Sequence, residues 1–168
     1  MKDEIGLVPC LLDRLTDTDP RSNHDAKYYR GISISKYRES ILRDILFLLN
    51  TTCLHSEQLD ILLPNQVKSS TINYGIPAFS GVNISDIDWG RVQDLILESL
   101  INFEPRLEED GLKVLVHIEN DLHFNHNQLL IEIKGMIKLN PYPREFWLRT
   151  TIDVETGLFS LVDGSVDE

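Results

Sequence analysis

Cysteine, positive charge and long apolar runs are all scarce in this chain, and each shortage removes a class of protein. Only two of its 168 residues are cysteine, Cys10 and Cys53, in different segments with no Cys-x-x-Cys spacing, which argues against a disulfide scaffold. The longest apolar stretch, around Ile41 to Leu49, is broken by Arg43 and Asp44 and falls far short of the roughly 20 residues that span a bilayer. Met1-Lys2-Asp3-Glu4 leads into no apolar signal-peptide core, so a reduced, cytoplasmic chain is expected. Lys and Arg number 16 against 27 Asp and Glu, and the resulting charge of −11 opposes phosphate backbones and anionic lipid. Neither nucleic acid nor membrane is an expected partner. What is present, 42% hydrophobic and 26% charged residues, suffices for an ordinary globular core that needs no metal, crosslink or cofactor.

Residues 1–34 read as an N-terminal arm and residues 35–168 as an α+β domain. In the arm, Val8, Leu11, Leu12 and Leu15 follow the i, i+3, i+4, i+7 spacing of one face of a short helix. A helix that short needs a surface to dock on. The polar segment Thr16 to Arg30, with a turn at Asp19-Pro20, reads as a flexible connector. From Ser35 the period becomes helical, with Tyr37, Ile41, Leu42, Ile45, Leu48 and Leu49 on one face and Arg38, Glu39, Arg43 and Asp44 largely on the other. A possible short helix near Ser56 to Leu62 precedes the breakers Pro64, Gly75, Pro77 and Gly81, and most of that region reads as loop.

A second helix is predicted from a cap at Ser85, with Asp88 near its positive end, along Val92, Ile96, Leu100 and Phe103 to Glu104. There Pro105 forces the preceding residue out of the α region. Beyond it the period is two. Leu112 to Ile118, Leu129 to Leu139, Phe146 to Val154 and Leu158 to Val162 give three to four antiparallel strands in a meander, with two helices on one face. The other face mixes Leu115, Leu130, Met136 and Trp147 with Glu132, Lys134, Lys138 and Arg149.

Reactive constellations are equally scarce. His123 and His126 lie between two strands with no second ligand pair at metal-site spacing, and read as hairpin residues. Ser80-Gly81 lacks the flanking glycine of a nucleophile elbow, and no Gly-rich phosphate loop occurs. Asp86, Asp88, Glu98 and Glu104 supply the number of carboxylates a glycosidase needs, but an acidic chain always offers such pairs, and they read as caps and surface groups. No catalytic residue and no metal ligand is assigned. One feature stands out, Phe103-Glu104-Pro105-Arg106-Leu107 at a helix-to-strand junction. Pro105 fixes the exit of the helix, holding Glu104 and Arg106 on a rigid corner where they pair either with each other or with a partner.

Four motifs in order resemble the TssE family of type VI secretion baseplate subunits, related to the baseplate wedge proteins of contractile phage tails. They are Leu11-Leu12-Asp13-Arg14-Leu15, Leu48-Leu49-Asn50-Thr51, Asn73-Tyr74-Gly75-Ile76-Pro77 and Phe103-Glu104-Pro105-Arg106-Leu107. Each is weak alone, whereas their order and spacing are specific. One departure, Glu108-Glu109-Asp110-Gly111, lengthens the step from the corner into the first strand and leaves that strand's register open.

The resemblance implies a non-enzymatic role in the cytoplasmic baseplate, at the inner face of the cell envelope. The implied partners are the wedge proteins TssF, TssG and TssK and the sheath proteins TssB and TssC, with sheath assembly starting on the wedge. Partner contacts are expected at Leu11, Leu12, Arg14 and Leu15 of the arm and at Glu104, Pro105 and Arg106 of the corner. Two alternatives accompany this reading. Anti-adaptor proteins that bind a response regulator share the fold and the Glu-Pro-Arg corner but are not expected to share the arm. The phage relatives are often labelled lysozyme-like, yet no distinctive acid and nucleophile pair supports a muralytic glycosidase.

Overall fold

The computed structural model describes residues 7–16, 20–21, 31–54, 64–78, 87–117 and 128–163. Its elements run α1 (Leu11–Leu15), α2 (Ile34–Leu49), α3 (Asn65–Lys68), a 3₁₀ turn (Thr71–Asn73), α4 (Trp89–Phe103), β1 (Lys113–His117), β2 (Gln128–Ile137), β3 (Arg144–Asp153) and β4 (Phe159–Asp163). Two long helices and a four-stranded antiparallel sheet make it α+β, with the strands in the spatial order β1-β2-β3-β4. The chain divides into two compact units between Arg43 and Asp44, inside α2.

In the first unit the backbone of Ile32 donates to Leu7 at 3.0 Å, an isolated antiparallel bridge. Asp13 of α1 forms an ion pair with Arg43 of α2, and also accepts from the Cys10 thiol at 2.9 Å.

In the second unit the period-two pattern lands as the sequence predicts. Ile131, Ile133 and Ile137 of β2 and Phe146, Leu148 and Ile152 of β3 are fully buried on one face. Val92, Ile96 and Leu100 of α4 are buried as well, and α4 packs against β1. Ile45, Leu48 and Leu49 at the end of α2 complete the buried set, so the core consists almost wholly of branched aliphatic side chains. Gly135 belongs to the same face of β2, where a Cβ would come within 2.8 Å of the Leu112 side chain. Its missing side chain is the space Leu112 fills.

The Asn73–Pro77 motif is stitched to the chain that follows α2. Ile76 N–H donates to Thr51 O at 2.9 Å, Cys53 N–H donates to Ile76 O at 3.0 Å, and the buried Ser99 hydroxyl of α4 donates to Gly75 O at 2.8 Å. Gly75 adopts φ +120°, and a Cβ there would lie 2.2 Å from the Thr51 carbonyl oxygen, so both backbone conformation and space demand glycine. Asn50 reaches the far edge of the sheet, where its Nδ2 donates to Phe159 O at 3.0 Å and its Oδ1 accepts from Phe159 N–H at 2.8 Å.

Two sequence readings change. The cap of α4 is Asp88, whose Oδ1 accepts from Arg91 N–H at 3.3 Å, whereas Ser85 lies outside the described residues. The region read as loop contains α3 and the 3₁₀ turn, and the possible helix near Ser56 to Leu62 lies outside the described residues, as do His123 and His126. Among the described residues no helix is long and apolar enough to cross a membrane, and no group of three or more His, Cys, Asp or Glu is placed to hold a metal.

Candidate functional site

Glu104 leaves the helical conformation at φ −118°, ψ 76°, as a residue before proline must, while its N–H still donates to Leu100 O at 2.9 Å. Its side chain turns inward and the residue is only 4% exposed. Arg106, two positions on, folds back over Pro105 to meet it. Nε donates to Glu104 Oε1 at 2.6 Å and Nη2 to Oε2 at 2.5 Å, a bidentate pair, and the Arg106 backbone N–H adds a third bond to Oε1 at 3.2 Å. The same Nη2 donates to Asp44 Oδ2, on α2, at 2.8 Å. Pro105 itself stays exposed. The corner is therefore closed by one cation held between two carboxylates, a set with formal charge −1.

Aromatic groups wall the set on one side. Tyr74 and Phe103 meet edge to face with centroids 5.3 Å apart, and the Tyr74 hydroxyl donates to Asp44 O at 3.4 Å. Burial, then the charges of Asp44 and Glu104, push the Tyr74 phenol above its ordinary pKa, with Arg106 opposing. Burial works against the charge of Arg106 more than any single other influence, but hydrogen bonds and attraction to Glu104, then Asp44, outweigh it together and raise its pKa. The guanidinium is a permanent cation. Chemically the arrangement fixes a corner and offers a rigid, charged turn.

The corner runs directly into the sheet. Lys138 N–H donates to Arg106 O and Glu108 N–H to Met136 O, both at 2.8 Å, around an antiparallel bridge between Leu107 and Ile137. The next pair in the ladder is Lys113 with Lys134. Five residues, Glu108 to Leu112, lie between Leu107 and Lys113, against two, Gly135 and Met136, on the β2 side, so the acidic step is a three-residue excursion. It turns at Gly111, φ +84°, and returns through Leu112 over Gly135. The register left open by the sequence thus runs from Lys113 opposite Lys134 to His117 opposite Leu130.

The arm residues present a different surface. Leu11, Leu12 and Leu15 are 68%, 50% and 74% exposed, Val8 is 68% exposed, and Arg14 is exposed beside them. No residue of α1 is buried.

Sequence reasoning missed Asp44 and Tyr74 as parts of the corner. Asp44 lies 62 positions from Arg106 and was assigned to the polar face of its helix, and no spacing signal links the two. Tyr74 stands inside a motif singled out for its breakers. A signal for its role exists only in the pairing of an aromatic residue there with Phe103.

A family model described as baseplate wedge protein gp25 matches residues 35–142, which take in α2, the Asn73–Pro77 motif, α4, the corner and the first two strands. The Leu-Leu-Asp-Arg-Leu motif lies outside that match. No curated protein and no solved structure matches the chain.

Proposed function

The chain belongs to the family of the baseplate wedge protein gp25, and from that premise we propose that it is a structural subunit of a type VI secretion baseplate, joining the wedge complex and helping to start the contractile sheath. Its proposed partners are the wedge proteins TssF, TssG and TssK and the sheath proteins TssB and TssC, met in the cytoplasm at the inner face of the envelope. The role is one of assembly, without catalysis.

The observation that carries this reading is the corner. Glu104, Arg106 and Asp44 lock a turn whose exposed apex is Pro105 and whose following backbone is already paired to the end of β2. A partner therefore meets a preformed shape rather than one it must order, which lowers the entropic cost of binding. The sheet edge beside it offers backbone donors and acceptors to an extended segment of a sheath subunit, and the fixed shape of the corner at the exposed Pro105 supplies specificity. The arm is proposed as a second contact. Leu11, Leu12 and Leu15 present more apolar surface than a five-residue helix can use by itself, with Arg14 placed to pair with a carboxylate.

Glu104→Ala and Arg106→Ala, compared with Leu11→Ser/Leu15→Ser, test this in cells by co-purification of wedge proteins and by imaging of fluorescent sheaths. Because loss of Arg106 also destabilises the chain, binding is read per folded molecule; so read, the corner variants are expected to join the wedge yet assemble few or no sheaths, and the arm variant to lose wedge binding. Normal sheath assembly in both corner variants, at unchanged protein level, would overturn the assignment of the corner. Unchanged wedge binding in the arm variant would overturn that of the arm.

A further inference from the structure

Where this fold buries an acid it supplies the partners. Glu104 is held by Arg106. Glu132, on the face of β2 turned away from the core, is 4% exposed, and its Oε1 accepts from the Trp147 indole N–H at 2.6 Å and from Arg149 Nε at 3.3 Å. Its Oε2 lies 3.0 Å from Lys134 Nζ and 3.5 Å from His117 Nε2. Among the described residues, the buried side-chain polar atoms left without any hydrogen-bond partner belong to one cation: they are Nε and Nη2 of Arg38.

Arg38 belongs by its charge to the polar side of α2, but it precedes Ile41, Ile45 and Leu49 by three, seven and eleven positions, which aligns it with the buried stripe. Its helical neighbours three and four positions away, Ile34, Ser35, Ile41 and Leu42, include no acid. Of the acids nearest along the chain, Asp13 is taken by Arg43 and Asp44 by Arg106. The two orphaned atoms form one edge of the guanidinium, with parallel N–H bonds. It is the same edge by which Arg106 grips both oxygens of Glu104. Shielded from water and given no acceptor, this edge costs the free chain stability and returns none.

We propose that the Nε–Nη2 edge of Arg38 is a binding site for a carboxylate carried by a partner protein, paired there as Glu104 is paired with Arg106. The empty donor pair, rather than net charge, selects that occupant, because two parallel donors match the two oxygens of one carboxylate. One such pair is too weak to capture a free small acid, whereas a side chain on a docking protein arrives at high effective concentration. The unit that contains Arg38, Met1–Arg43, offers that protein apolar contact as well, since Val8, Leu11, Leu12 and Leu15 are exposed. Pairing requires the guanidinium to turn, or its cover to shift, as the partner docks. Nε and Nη2 have no bond to surrender in that step, unlike the Arg43 guanidinium, which is bound to Asp13. The proposal stands on Arg38 and is independent of the baseplate reading.

Two measurements on the full chain test it. Arg38→Met keeps the stem and removes the guanidinium, so the melting temperature is expected to stay level or rise. A measurable fall would show that Arg38 already has its partner in the free chain, and would overturn the proposal. The second measurement follows the NMR signal of the Arg38 Nε–H, identified by its loss in Arg38→Met, as acetate is raised to about 0.5 M against equal sodium chloride, since a single pair binds weakly. Acetate is expected to shift it saturably, at a concentration about tenfold lower than for the exposed Arg14, because a shielded pair is screened less. Chloride is expected to leave it in place. No shift, equal responses of Arg38 and Arg14, or the same shift in chloride would overturn the site. Saturation below about 1 mM acetate would mark a site for a free acid, and a stronger response to inorganic phosphate a site for phosphate; either would overturn the partner carboxylate.

Discussion

Glu104 and Glu132 are buried to the same extent, each 4% exposed, yet their ionic partners are arranged differently. At the corner one guanidinium is divided between two carboxylates, Glu104 and Asp44. On the sheet face two permanent cations and an imidazole converge on one carboxylate. Burial of an acid therefore does not reveal its neighbourhood: the corner shares one cation between two acids, whereas the sheet face gathers several donors on one. They differ in construction as well. The corner is local, made chiefly by residues two apart across a proline, whereas the face exists only because the strand register brings β1, β2 and β3 side by side.

Removing the cation from the corner should have the largest effect. Arg106→Ala leaves Glu104 buried beside Asp44 with no charge between them, and is expected to cost about 3–5 kcal/mol in urea unfolding. A loss under about 1 kcal/mol, the range of an exposed pair, would mean that the corner is open in solution. Next comes the other carboxylate, where Glu132→Gln keeps the shape and removes the charge, for an expected loss of about 2 kcal/mol near neutral pH.

That second effect has a pH signature. Burial pushes Glu132 upward, but hydrogen bonds from Trp147 and Lys134, the Lys134 charge and His117 together hold it at about 2, against an ordinary 4.5. Because the folded value is the depressed one, its stabilisation is complete above about pH 4.5 and disappears as pH falls through about 2. The gap between wild type and Glu132→Gln should be flat at higher pH and close across that window; a gap persisting unchanged at pH 2 would rule out a depressed carboxylate. The smallest effect is expected of Lys134→Gln, whose side chain is half exposed, at under about 1 kcal/mol. A loss as large as that of Glu132→Gln would assign the whole cluster to one pair.

The fold was legible wherever burial repeats with the period of an element. Ile131, Ile133 and Ile137 mark the inner face of β2, and Val92, Ile96 and Leu100 that of α4, because an apolar stripe has one way to leave water. The corner was legible as a corner, since Pro105 acts on its nearest neighbours. Its third member was not. Asp44 reads like any polar residue of an amphipathic helix, and its meeting with Arg106 depends on where α2 ends relative to α4. Glu132 carried no signal of its own for a related reason: it stands between two isoleucines on a face that mixes apolar and charged side chains, and its burial comes from Trp147 and Arg149, on a neighbouring strand, closing over it.

The paired bonds from Asn50 to Phe159 bear on how the protein behaves in a crowded cell. A terminal strand with idle peptide groups invites a copy of itself to pair, and β4 carries exposed Leu161 and Val162 that would reward such a contact. Asn50 engages both peptide groups of Phe159 with one carboxamide, occupying that rung of the ladder as a neighbouring strand would. Growth of an intermolecular sheet from the start of β4 would first have to evict that side chain, so a residue from the end of a helix serves as a gatekeeper against self-association.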